Sequence, residues 1–223
     1  MKPSLKYIIS LLIFLLSFSG YTQDSLKAKE NVVVLSIVVD YGKLVESLFN
    51  QQTKWEFGVD FRFLPHYKLV TEYGFASLNP QSVVNNGSYN SEGNYFRLGL
   101  EYIFILNANR YLSTGFMYGN SNFRDKLNVQ IISEFWQSVD LVREREGLSA
   151  NWIEWVLNTE GPTFNTSDGP FSKLSWGMKF RIRFLITDIT QPEVEILAIP
   201  GYGRTYSNVV PAVNLFLKYR IVL

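Results

Sequence analysis

Fourteen charged side chains recur at alternate positions among large apolar residues: Asp40, Glu56, Asp60, Arg62, Lys68, Glu72, Arg97, Glu101, Glu154, Lys179, Arg181, Arg183, Lys218 and Arg220. Six are acids and eight are bases. Lining one enclosed space, such a set could form a polar conduit or a proton path. Paired off, it would be a packed plug. Near-balance of sign is what pairing requires, because an isolated buried charge costs several kcal/mol. The plug is therefore the favoured expectation, with Asp60, Arg62, Glu72, Arg97, Glu101, Glu154, Lys179, Arg181, Arg183, Lys218 and Arg220 as its network.

Other chemistry has few candidates. The chain has one histidine, His66, beside Pro65. A serine hydrolase needs a histidine base set against its nucleophile, and a turn histidine next to proline reads as an exposed residue. There are no cysteines, so neither a disulfide framework nor a thiolate metal site is open to it. No acidic cluster has calcium-loop spacing, and Gly201-Tyr202-Gly203 is too short for a nucleotide fingerprint. No cofactor, metal site or enzymatic activity is expected. The leading alternatives are a lipid-modifying enzyme of the outer membrane and a soluble, lipocalin-like periplasmic barrel.

The elements that must position these charges are strands. In Lys54–Phe63, residues Trp55, Phe57, Val59, Phe61 and Phe63 oppose Glu56, Gly58, Asp60 and Arg62. Period-two alternation marks a strand with two different environments. The same pattern runs through Val32–Tyr41, Tyr67–Ala76, Asn94–Ile105, Tyr111–Gly119, Ser149–Asn158, Leu174–Ile186 and Val213–Leu223. That makes eight strands. Connections after the second and fourth are short; those after the first and third are long, as in barrels with short periplasmic turns and longer outside loops. A competing parse makes Glu193–Ala198 a strand and puts Ser149–Asn158 in a loop. Keeping Pro192 and Pro200 out of the ladder favours the first parse. Residues 120–147 then form a third outside loop, Thr159–Lys173 an unusually long turn, and Thr187–Ser207 a long loop.

Lys2 and Lys6 precede the apolar run Tyr7–Phe18, and small or polar residues follow through Gln23. This is the layout of a secretory signal peptide, expected over 1–22, with the barrel over 23–223. Losing Lys2 and Lys6 takes the 21 basic residues to 19, against 20 acidic. That is no electrostatic footprint for nucleic acid.

Which face is inside decides the class. Aromatic residues make up 16% of the chain, too many for the interior of a small closed barrel, which is just wide enough for its side chains. Turned outward to lipid they fit, and Trp55, Tyr67, Tyr111, Trp176 and Tyr219 near strand ends read as interfacial girdles. Inner Gly58, Gly74, Gly99 and Gly177 would make room for long arginines. The expected fold is an all-β, transmembrane, antiparallel up-and-down barrel of eight strands.

The segments FGVDFRF (57–63), YFRLGLEY (95–102), NWIEW (151–155), LSWGMKFRIRF (174–184), IPGYG (199–203) and NLFLKYRI (214–221) resemble an uncharacterised family of Bacteroidota outer-membrane barrels bearing a domain of unknown function. The signal segment ending YTQ is similar to those of exported Bacteroidota proteins. Glu160–Lys173 departs from the family pattern. The resemblance implies location and fold only. It extends more loosely to small barrels that accompany secretion and assembly machineries.

The expected role is a structural, binding or scaffolding component of the envelope with a charge-filled, non-porin lumen. Its expected partners are outer-membrane lipid and, during insertion, the barrel-assembly machinery, which reads an apolar alternation like the one from Leu215 to Leu223. Phe135, Trp136, Leu141 and Val142 in the loop 120–147 need either self-packing or another envelope protein to cover them.

Overall fold

The computed structural model describes residues 33–49, 52–80, 86–107, 110–132, 137–163, 169–187 and 195–222, all within the unit Asn31–Leu223. The signal segment 1–22, Phe135, Trp136, Pro192 and Leu223 lie outside the described residues.

In chain order the elements are β1 (Val34–Asp40), α1 (Tyr41–Phe49), β2 (Lys54–Leu64), β3 (Tyr67–Leu78), β4 (Gly87–Asn107), β5 (Arg110–Ile131), β6 (Val139–Pro162), β7 (Leu174–Leu185), the short β8 (Ala198–Ile199) and β9 (Gly203–Arg204), and β10 (Val209–Val222). Eight of these strands close a ring in the order β1-β10-β7-β6-β5-β4-β3-β2. Every pairing in it is antiparallel. Each strand of the ring pairs with its neighbours in sequence, and β1 against β10 completes the closure. This is an up-and-down barrel, and closure leaves no free edge through its body.

The alternation sorts the side chains by sign of polarity, and the sorting is inverted relative to a soluble barrel. Lys68, Glu72, Arg97, Glu101, Glu154, Lys179 and Arg181 are buried inside. Phe57, Val59, Leu69, Tyr73, Phe96, Leu98, Leu100, Phe116, Ile153, Trp176, Met178 and Leu217 are exposed outside. Polar in and apolar out is the architecture of a transmembrane barrel.

Five connections differ from expectation. The stretch after β1 is the helix α1 rather than a plain loop. Residues 120–147 are not an outside loop, because β5 and β6 pair from Tyr111↔Glu160 to Ile131↔Val139 and carry the hairpin far beyond the rim. β4 joins this extension from Gly87, where only a polar connection was expected. The turn expected over Thr159–Lys173 is shorter, since β6 continues to Pro162 and a 3₁₀ turn at Pro170–Lys173 leads into β7. Within Thr187–Ser207, β8 and β9 form a two-stranded sheet of their own. The described residues of that segment do not join the ring, and Pro200 lies in the turn between β8 and β9. Pro211 enters the ring, but in a stretch of β10 that pairs with β7 alone, since β1 reaches only Phe216. There its missing N–H breaks no second ladder.

Candidate functional site

Strand alternation aims the charges at one another across a narrow lumen, and two clusters result. The upper one centres on Glu72 of β3. Arg181 Nη2 lies 2.8 Å from both of its carboxylate oxygens, Lys179 Nζ 2.6 Å from one, and Arg97 Nη1 3.2 Å from the other. Arg97 also donates to Glu56 at 2.6 Å, and Arg181 to Glu154 at 2.7 Å and Asn214 at 2.9 Å. Arg97 Nε sits 2.9 Å from Glu154, close enough for charge contact but out of line for a hydrogen bond. Lys43, from α1, reaches down to pair with Glu56 and lies 3.3 Å from Asp40. The lower cluster ties Lys218 to Asp60 at 2.8 Å and Glu160 at 3.1 Å, and Lys68 to Glu101 at 2.9 Å and Asp60 at 3.4 Å. Arg220 closes it on Glu160 at 2.5 Å. Lys179, 3.8 Å from Glu101, links the two clusters.

A buried ion pair is tolerable only when remaining donors and acceptors are also engaged. Hydroxyls and rings do this for several of the groups here, while Arg97 Nε, Arg183 Nε and Glu101 Oε1 make ion-pair contact without a hydrogen bond among the described residues. Ser113 donates to Glu101 at 2.6 Å, Tyr95 to Glu56 at 2.7 Å, Ser175 to Glu160 at 3.0 Å and Trp152 to Glu154 at 2.6 Å. The Arg97 guanidinium lies over the Tyr95 ring, 4.6 Å from its centroid, a contact that desolvation strengthens.

The lumen is plugged from above by the segment around β8 and β9. Ile196, Ile199 and Tyr202 are buried against Tyr95, Phe123, Ala150 and Trp152. Tyr202 meets Trp152 edge-on at 5.9 Å. Two plug carbonyls cap lumen arginines: Arg97 donates to Gly201 O at 2.7 Å and Arg183 to Tyr202 O at 2.6 Å. Gly201, at φ +81°, makes the turn possible, and a Cβ there would come within 2.4 Å of the Tyr95 ring. At mid-height a cavity of about 10 Å³ lies between Val38, Glu56, Gly58, Glu72, Lys179, Arg181 and Phe216, about the room of one water. Near the mouth a larger cavity of about 400 Å³ is lined by Asp40, Lys43, Arg183 and Asn214 among others.

Of the residues picked out in the sequence, Asp60, Glu72, Arg97, Glu101, Glu154, Lys179, Arg181, Arg183, Lys218 and Arg220 are brought into these clusters. Arg62 is not. It turns to the Pro65 carbonyl and lies over Tyr111, 5.8 Å from the ring centroid, and makes no carboxylate pair among the described residues. Tyr111 correspondingly faces inward under Arg62 and Arg220 rather than joining a girdle. The inner glycines make room for other groups than arginines: Gly74 for Tyr95, Gly99 for Met117 and Gly177 for Phe216. Glu160 and Lys43 were missed. Continuing the Trp152–Glu154–Val156 alternation past Asn158 would have reached Glu160; nothing in the first connection pointed to Lys43. His66 stacks on Tyr102 at 5.6 Å in the β2–β3 turn, its Nδ1 3.1 Å from Ile103 O.

The family model Domain of unknown function (DUF6048) matches residues 4–223, and the chain belongs to that family. No curated protein is significantly similar to it in sequence. Among solved structures it is similar to the N-terminal β-barrel domain of Pseudomonas aeruginosa OprF, with 10% identity over 86% of this chain and 98% of that one and a TM-score of 0.33. It is also similar to Acinetobacter baumannii CarO2, with 9% identity over 86% of this chain and 100% of that one and a TM-score of 0.41.

Proposed function

We propose that this member of the DUF6048 family is a closed, non-conducting barrel of the Bacteroidota outer membrane, acting as a structural or scaffolding component of the envelope. The observation that carries this reading is the inverted polarity: the exposed band is apolar on every strand of the ring, and the charges are buried and paired. In water that arrangement would expose the greasy face; in lipid that face is covered, while the lumen charges pair with one another inside. The signal segment directs export, and the closing strand β10 is the feature offered to the barrel-assembly machinery.

Eight strands leave no wide aqueous channel, and here paired charges and the plug occupy the space that remains. The role is therefore not that of a general porin. The proposed role is also non-catalytic, a reading supported by the pairing of the described lumen charges with one another. What the barrel offers the outside is the extension of β4, β5 and β6. Ile131, Ile132, Val139, Leu141 and Val142 are exposed on it, which suits docking to another envelope protein, as in an accessory of a secretion or assembly complex.

The test uses a chain with no cysteine of its own. Lys126→Cys, on the extension, is probed in intact cells with a membrane-impermeant maleimide, with fractionation alongside. Labelling of an outer-membrane species is expected. A protein recovered in the soluble periplasmic fraction would overturn the reading. Crosslinking from mild detergent tests the docking role, which a purely monomeric species would sink.

A further inference from the structure

β1 is the shortest strand of the ring. It pairs with β2 only up to Val39↔Phe57 and with β10 only up to Asp40↔Phe216. Both neighbours rise further, β2 from Lys54 and β10 from Val209. The wall therefore has a notch above β1, and α1 sits in it, against those two strands. Gly42 lets the helix approach β10: a Cβ there would lie 3.3 Å from Leu215 Cβ.

The orientation of α1 is fixed by its polar residues. Lys43 reaches into the lumen to Glu56 and Asp40, and Glu46 pairs with Lys54 of β2 at 2.7 Å. At 100° per residue the side chains of Leu44, Val45, Leu48 and Phe49 fall on the opposite face. All four are exposed, Leu48 by 83% and Phe49 by 84%. They lie opposite the face that Lys43 and Glu46 turn to Glu56 and Lys54, and the flanking strands carry Phe57 on β2 and Val213 and Leu215 on β10, all exposed.

We infer that α1 is a helical segment of the barrel wall whose apolar face is seated in the acyl chains of the surrounding leaflet. Its outer surface continues the lipid-facing band upward across the notch, as an interfacial amphipathic helix does, while Lys43 pins its inner face to the lumen network. A helix facing water would gain nothing from four adjacent large apolar residues. The inference rests on the membrane reading above, and its test separates the two.

Single-cysteine variants Leu48→Cys on the helix, Phe57→Cys on the strand band and Lys126→Cys on the extension are spin-labelled in phospholipid vesicles. Collision with oxygen and with a water-soluble nickel chelate is then measured. The oxygen-to-nickel ratio at position 48 is expected to match that at 57 and to exceed that at 126. A ratio at 48 matching 126, with 57 still lipid-like, overturns the helix inference alone. A water-like ratio at 57 overturns the membrane reading and the helix inference with it. Spin–spin broadening at 48 would place a second copy there in place of lipid and overturn the inference as well.

Discussion

Glu72 on β3 and Arg181 on β7 meet across the full width of the barrel. In the closed ring these strands are separated by three others in either direction, yet Arg181 Nη2 lies 2.8 Å from each Glu72 carboxylate oxygen. Ladder hydrogen bonds hold each strand to its neighbours; this contact holds opposite walls together. It also narrows the bore, because one guanidinium and one carboxylate bridge the opposite walls.

Glu72→Ala should therefore destabilise strongly. It leaves Arg181 and Lys179 facing each other without their shared carboxylate, and breaking a buried pair from one side costs about 3–5 kcal/mol. Glu92→Ala is the control. Its partner Arg124 is exposed, and a surface pair contributes about 1 kcal/mol or less. Urea unfolding in lipid vesicles, with heat-modifiable gel mobility, checks both. Equal behaviour of the two variants would show that the lumen network is not structural.

A second variant tests the plug. Gly201 and Gly147 both have positive φ, +81° and +68°, so alanine at either carries a left-handed cost of about 1–2 kcal/mol. At Gly147 nothing lies within 4 Å of the added carbon; at Gly201 it would strike the Tyr95 ring. Gly201→Ala should then be the more damaging, and it should expose the plug to protease. Equal loss in both would mean that the plug does not bear on Tyr95.

Lipid contact predicts an effect that burial in water would not. Val59, mid-strand on the outer face of β2, is 43% exposed. Val59→Arg should cost about 2–4 kcal/mol if that face meets the bilayer midplane. On a water-facing surface the same change would stay within about 0.5 kcal/mol. The comparison with Val59→Leu by unfolding in vesicles decides it.

Much of this was legible in the sequence where one physical signal dominated. Alternation in Lys54–Phe63 and Leu174–Ile186 placed Asp60, Lys179, Arg181 and Arg183 inside and Phe57, Trp176 and Met178 outside, because a strand's two faces are fixed by period two alone. The signal failed where both faces meet water. Above the lipid band, β5 runs on through Asn120 and Asn122, and β6 begins in Asp140–Glu146, where polar residues occupy both faces and no alternation survives. Helix α1 was hidden by its length, since nine residues show little periodicity. The plug was hidden by its chemistry: Arg97 and Arg183 are capped by the backbone carbonyls of Gly201 and Tyr202, and a carbonyl leaves no trace in residue type. Arg62 was placed inside by alternation correctly, but at the rim it found the Pro65 carbonyl before any carboxylate.

In the proposed barrel, paired charges below and a plug above close the lumen. Planar-bilayer recording of the purified full-length protein tests this closure most directly, with a large general porin inserted in parallel as the positive control. Membranes that contain the protein, shown by recovery of its heat-modifiable form, should display no conductance steps. Reproducible ohmic steps that disappear when the protein is denatured beforehand would show an open lumen instead.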